Sequence, residues 1–182
     1  MINIYIGQAL GVLATLITFL SYQFNTKRGV LLANAAATLS TCLSYLFLGA
    51  NTGFVLNIVC ILRNVIFFLL PSESRGGKIS AALLALLMIV LGALSWQGPA
   101  SLLIIVALAT NTVFLSLGKP QALRYSILLT SSLILVYNIF VFSIGGMVNE
   151  GVAITSALIG IIRFRRTLPS APVPDADRKK LP

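Results

Sequence analysis

The chain has 182 residues, 58% hydrophobic and only 9% charged, with 13 Lys and Arg against 4 Asp and Glu. A water-soluble domain carries roughly 25% charged residues, so most of this surface faces something other than water. At about 20 apolar residues per membrane-crossing helix, the spans consume nearly the whole chain and exclude a separate soluble domain.

The first apolar run, Ile4–Gln23, has no basic leader and no small-residue cleavage site before the next polar loop. It reads as a span and not as a cleaved signal peptide. Val30–Gly49, Phe54–Leu70, Ile79–Trp96, Ala100–Leu117, Tyr125–Ile144 and Met147–Arg163 follow as further spans. Backbone groups in lipid must be bonded within their own segment, so each span is assigned as helix. Turn chemistry marks breaks at Asn25–Gly29, Asn51–Gly53, Pro71–Lys78, Gly98-Pro99, Gly118–Gln121 and Gly145-Gly146.

Twelve of the 13 basic residues then fall on one side. Lys27 and Arg28 follow the first span, Arg75 and Lys78 the third, and Lys119 and Arg124 the fifth. Arg163, Arg165, Arg166, Arg178, Lys179 and Lys180 follow the seventh. The alternate loops carry none. Positive loops stay cytoplasmic, so the expected topology is an N-terminus outside and a C-terminus inside. Trp96 suits an interfacial belt at the outer end of the fourth span. The proline- and charge-rich stretch 167–182 reads as a disordered cytoplasmic tail whose Arg178, Lys179 and Lys180 can touch anionic lipid. The basic charge therefore reports membrane orientation, and no nucleic-acid partner is expected.

The run Leu13–Ser21 recurs as Leu108–Ser116. Tyr45 then pairs with Tyr137, Gly53 with Gly145, and Asn57 with Asn149. The predicted fold is an all-α polytopic membrane protein, seven transmembrane helices as two parallel three-helix repeats joined by a linker helix. The first repeat covers 1–71, the linker loop and fourth helix 72–98, and the second repeat 99–166. This layout is that of the SWEET transporters.

Arg63 lies mid-span, where an unpaired charge costs about 3 kcal/mol on insertion scales. It reads either as an anion clamp or the cation of a gating pair, or as half of a structural ion pair or a snorkelling arginine. Glu150, in the first turn of the seventh span, reads either as a carboxylate capping the helix dipole or as a solute acceptor or proton-coupling site. Asn57 and Asn149 open the outer halves of the third and seventh spans and are candidate solute contacts at the repeat interface. Asn34, Asn64, Asn111 and Asn138 also lie within spans, where an amide reads as a helix-packing contact or as a site. Thr15, Thr18, Thr110, Thr112, Thr130, Ser131 and Ser132 read as small residues at helix interfaces. Cys42 and Cys60 both fall in spans, which argues against a disulfide framework. With no histidine, no phosphate loop and no paired carboxylates, neither an enzyme nor a cofactor or metal site is expected.

Ser143-Ile144-Gly145-Gly146, Glu150-Gly151 and Ile161-Ile162-Arg163-Phe164 with Arg166 resemble the YgjV family of bacterial inner-membrane proteins. Gln8, Gly11, Leu48-Gly49, Arg63 and Asn138 are similar to that family's pattern too, and the likeness spans residues 5–166. It implies an inner-membrane location and points to Arg63, Asn138, Glu150 and Arg163. The first triplet also resembles a SemiSWEET or PQ-loop protomer, in which an asparagine on each third helix contacts sugar; Asn57 and Asn149 are the matching positions. The first-helix proline-glutamine pair is missing here, and Glu150 adds a charge, both against a neutral sugar. The leading expectation is transport of a small polar solute, with Asn57, Asn149, Glu150, Arg63 and Asn138 as substrate-binding residues. The alternative is a non-transporting receptor-like or partner-binding membrane subunit, and a homodimer is left open.

Overall fold

The computed structural model describes residues 2–21, 27–70, 74–117 and 120–165, and the described elements are seven α-helices. They are α1 (Ile2–Ser21), α2 (Lys27–Phe47), α3 (Asn51–Leu69), α4 (Arg75–Leu94), α5 (Ala100–Leu115), α6 (Pro120–Phe140) and α7 (Ile144–Arg165). The expected tail at 167–182, with Lys119 and Arg166, lies outside the described residues, as do the side chains of Asn34 and Arg163.

Ile2–Leu20, Asn51–Leu69, Arg75–Leu94 and Ile144–Ile162 are long and apolar enough to cross a membrane, and Ala35–Phe47, Ala100–Leu115 and Arg124–Phe140 are shorter apolar helices. Every helix presents a large apolar side chain outward near its middle: Leu16, Leu39, Leu62, Leu83, Val106, Leu129 and Ile159 are all exposed. An apolar belt running around the whole molecule far exceeds the few hundred Å² that a water-soluble monomer leaves bare. Lipid is the solvent that such a belt fits.

The helices close into a ring. Neighbours are α1 with α2, α2 with α3, α3 with α5, α5 with α6, α6 with α7, and α7 with α1. Helix α4 packs outside, against α3 and α5. Exchanging α1, α2 and α3 for α5, α6 and α7 maps this neighbour order onto itself. The α3–α5 contact becomes the α7–α1 contact.

Helix ends depart from the apolar runs in an instructive way. The breaks expected at Asn51–Gly53 and Gly145-Gly146 are first turns of α3 and α7. The true turns lie just before them. Gly49, at φ +74°, ends α2: its N–H donates to the Leu46 carbonyl (3.1 Å) and the Ala50 N–H to the Tyr45 carbonyl (2.9 Å). Phe142, at φ +54°, ends α6 in the same way, with Phe142 N–H on Ile139 (3.2 Å) and Ser143 N–H on Asn138 (2.9 Å). This is the left-handed helix stop that satisfies the last carbonyls. Hydropathy locates where the chain becomes apolar, whereas a helix ends where its hydrogen bonds end. For the same reason Lys27, Arg28, Arg75, Lys78 and Arg124, expected in loops, belong to the opening turns of α2, α4 and α6. Ser74 caps α4, its hydroxyl accepting the Gly77 N–H at 3.0 Å.

Candidate functional site

A cavity of about 800 Å³ lies inside the ring, lined by all six ring helices and by no residue of α4. Such a volume is ordinary for a small-molecule site. Its deep wall carries Tyr45, Asn57, Asn149 and Glu150, and it runs past Arg63 and Asn111 to Phe68 and Leu115, at the end where the basic residues sit.

Arg63 is half-buried twelve residues into α3, nearer the basic end than the expected mid-span position because α3 begins earlier than its apolar run. Its guanidinium reaches across the α3–α5 seam to Thr112 Oγ1 (3.1 Å) and Asn111 Oδ1 (3.4 Å), and back to Asn64 Oδ1 (3.4 Å). Each of these acceptors is neutral. Its Nε is buried and meets no hydrogen-bond partner. Thr112 is itself anchored on the Leu108 carbonyl at 2.8 Å. The arginine is thus held in place without being neutralised.

Glu150 lies in the second turn of α7, because α7 starts at Ile144; the first turn holds no acidic residue. The capping role weighed from the sequence is thereby excluded. Its carboxylate accepts from Asn149 Nδ2 at 3.3 Å. That donor is uncharged, and no ion pair joins Glu150 to Arg63.

Asn57 is buried, its Nδ2 donating to the Gly53 carbonyl at 2.8 Å. Counted from the two left-handed stops, Gly49 and Phe142, Asn57 and Glu150 occupy the same step, eight residues on. Matching letters pairs Asn57 with Asn149; the helix stops pair it with Glu150. The cavity therefore carries an amide on one repeat-related wall and a carboxylate on the other.

Asn138 stands apart from the main cavity. It borders a void of about 30 Å³ that also touches Tyr45, Asn149 and Glu150. Its Oδ1 accepts from the Tyr45 hydroxyl at 2.8 Å, and its buried Nδ2 meets no partner. Tyr45 stands edge-on to Tyr137, ring centres 5.8 Å apart, and the Tyr137 hydroxyl accepts the Gly53 N–H at 3.1 Å. These three side chains plug the end of the ring opposite the basic residues.

Above the plug the first triplet is tied to the α4–α5 loop through Gln97 and to the second triplet through Gln8 and Thr15. Gln97 donates from Nε2 to the Gly49 carbonyl (2.9 Å) and accepts the Thr52 N–H (3.2 Å). Gln8 donates to the Phe142 carbonyl and accepts the Ile144 N–H (3.0 Å). Thr15 adds a bond from α1 to the Gly145 carbonyl (2.8 Å), as its reading as a helix-interface residue anticipated. Sequence reasoning passed over Tyr45, Tyr137, Gln8 and Gln97 as site residues. The matched tyrosines were the signal available for two of them.

An all-helical ring around a cavity that holds a few polar and charged side chains, belted by apolar side chains, defines a polytopic integral membrane protein. The family model Imp-YgjV, described as a bacterial inner membrane protein, matches residues 5–168, and the chain belongs to that family. No curated protein and no solved structure matches it.

Proposed function

We propose that this inner-membrane protein moves a small polar solute by alternating access, with the ring cavity as its solute site. The observation that carries the reading is one cavity holding an arginine and a glutamate that have neutral partners only. Ionisable groups within membrane helices are costly and serve solute or ion pathways by default. The twofold neighbour order supports a SWEET-like use of two triplets, with the site at their interface. Asn57, Asn149 and Glu150 contact the solute, and Arg63 supplies charge. Asn138 acts in the plug, through Tyr45. On the positive-inside rule the basic end is cytoplasmic, so the cavity faces the cytoplasm and the plug faces outward.

The test is thermal stabilisation of the detergent-purified protein against sugars, amino acids and organic acids, since a ligand bound only by the folded state raises stability by mass action. A hit lost in Asn57→Ala, followed by uptake of that compound into proteoliposomes, supports the reading. Binding without uptake moves the protein to the receptor-like alternative.

A further inference from the structure

The charges in the cavity point to the chemistry of what it holds. Arg63 and Glu150 line the same space yet do not pair, and each is positioned by uncharged side chains. Helices α3 and α7 both start at the plugged end. Arg63 lies twelve residues into α3 and Glu150 six residues into α7. At 1.5 Å per residue their backbones differ in depth by about 9 Å. The guanidinium stays at the level nearer the basic end, because its partners Asn111 and Thr112 are eleven and twelve residues into α5.

A simple anion would answer Arg63 and leave the carboxylate without a counter-charge. A simple cation would do the reverse, and a neutral sugar would answer neither. Where a bound solute displaces water from both side chains, a charge left unpaired is the expensive arrangement. We propose that the solute is an extended zwitterion, bound with its acidic group on Arg63 and its cationic group toward Glu150 and Asn149. This rests on the solute-site reading above and names its substrate class. The amide of Asn57, which lines the same cavity from α3, hydrogen-bonds the amine end or the polar chain beside it. A compact α-amino acid cannot reach both levels at once; a chain several bonds longer can.

The experiment compares ε-aminocaproate, caproate, hexylamine, glycine and glucose as stabilisers of the purified full-length protein. Stabilisation by ε-aminocaproate, with caproate, hexylamine and glycine each weaker by about tenfold or more in affinity, is the expected result, since each of them forgoes a charge-assisted hydrogen bond at one of the two levels. Glu150→Gln should erase the advantage of ε-aminocaproate over caproate, and Arg63→Gln its advantage over hexylamine. If one variant does not fold, the other carries the test. Caproate or glycine matching ε-aminocaproate in the native protein overturns the extended zwitterion. A response to glucose alone, lost in Asn57→Ala, overturns it while leaving a solute site standing. Silence from every compound, with a cavity cysteine that no reagent reaches, sinks both readings.

Discussion

Gln8 and Gln97 perform the same task on opposite triplets. Gln8, on α1, reaches the turn between α6 and α7 of the other triplet, and Gln97, in the loop that joins α4 to α5, reaches the turn between α2 and α3. Each donates to the carbonyl of the residue in the left-handed conformation and accepts a first-turn N–H of the helix that follows. Helix N-termini leave four N–H groups without intrahelical partners, and Ala50 at the start of α3 offers no side-chain cap. The missing cap is lent by the other half of the molecule. Helix capping and assembly of the ring are thereby coupled at the plugged end.

Gln97→Ala removes two hydrogen bonds from the α2–α3 turn and should lower stability by about 1–2 kcal/mol. Gln8→Ala should cost a similar amount at the α6–α7 turn. The clasps share no partner, so the double variant should be additive within about 0.5 kcal/mol. Thermal or denaturant unfolding in detergent measures all three, and a variant indistinguishable from the native protein would remove the clasp from the account.

Tyr45→Phe strips from Asn138 Oδ1 its one donor among the described residues, in a side chain whose Nδ2 meets no partner among them. A buried amide left so should cost about 1–3 kcal/mol. Tyr137→Phe instead frees the Gly53 N–H at the start of α3. Both keep the edge-on ring contact, so unfolding measurements isolate the hydroxyls. Asn138→Leu in the Tyr45→Phe background should recover part of the loss, because removing both polar partners is far cheaper than removing one.

How much of this the chain reveals depends on the range of the interaction. The apolar runs and the one-sided placement of basic residues mark all seven helices, because lipid imposes those patterns locally. Arg63, Asn57, Asn149 and Glu150 stand out for the same reason: a polar side chain in an apolar helix must face something, and all four line the cavity. The turns were less legible. Gly49 is the natural residue for a left-handed stop, but nothing about Phe142 announces one, so the sixth helix was drawn past its end to Ile144. That displaced start gave Glu150 a capping role which the fold removes. The partnerships of Gln8 with Phe142, or Tyr45 with Asn138, join distant segments and depend on helix rotation and register, which composition does not encode.

Gly145 meets Gly11 where α7 crosses α1, and a Cβ there would overlap the Gly11 carbonyl and the Val12 nitrogen. These are backbone atoms, which cannot swing aside. Small residues permit such close crossings in membrane helices. Gly145→Ala should therefore force the two helices apart, breaking the Thr15 bond to the Gly145 carbonyl, at a cost of about 1–3 kcal/mol. Gly151→Ala serves as the control, because nothing lies within 4 Å of a Cβ at that site. Equal melting temperatures for the two variants would remove the crossing from the account.

The shape of the cavity makes a directional prediction. Leu108 and Ile61 line it, whereas the plug of Tyr45, Tyr137 and Asn138 separates it from the Gln8 and Gln97 clasps. In a background with Cys42 and Cys60 replaced by serine or alanine, Leu108→Cys and Ile61→Cys should react with an impermeant maleimide applied from the cytoplasmic side. They should resist it from the outside. Adding Tyr45→Ala with Gln8→Ala should open the outer route and make both cysteines reactive from outside, because that pair removes a ring of the plug and one of the clasps above it. Labelling in right-side-out and inverted vesicles reads this directly. Reactivity from the outside alone in the unmodified plug would reverse the assigned orientation. Reactivity from neither side would mean that solute cannot enter the ring, and alternating access would fall with it.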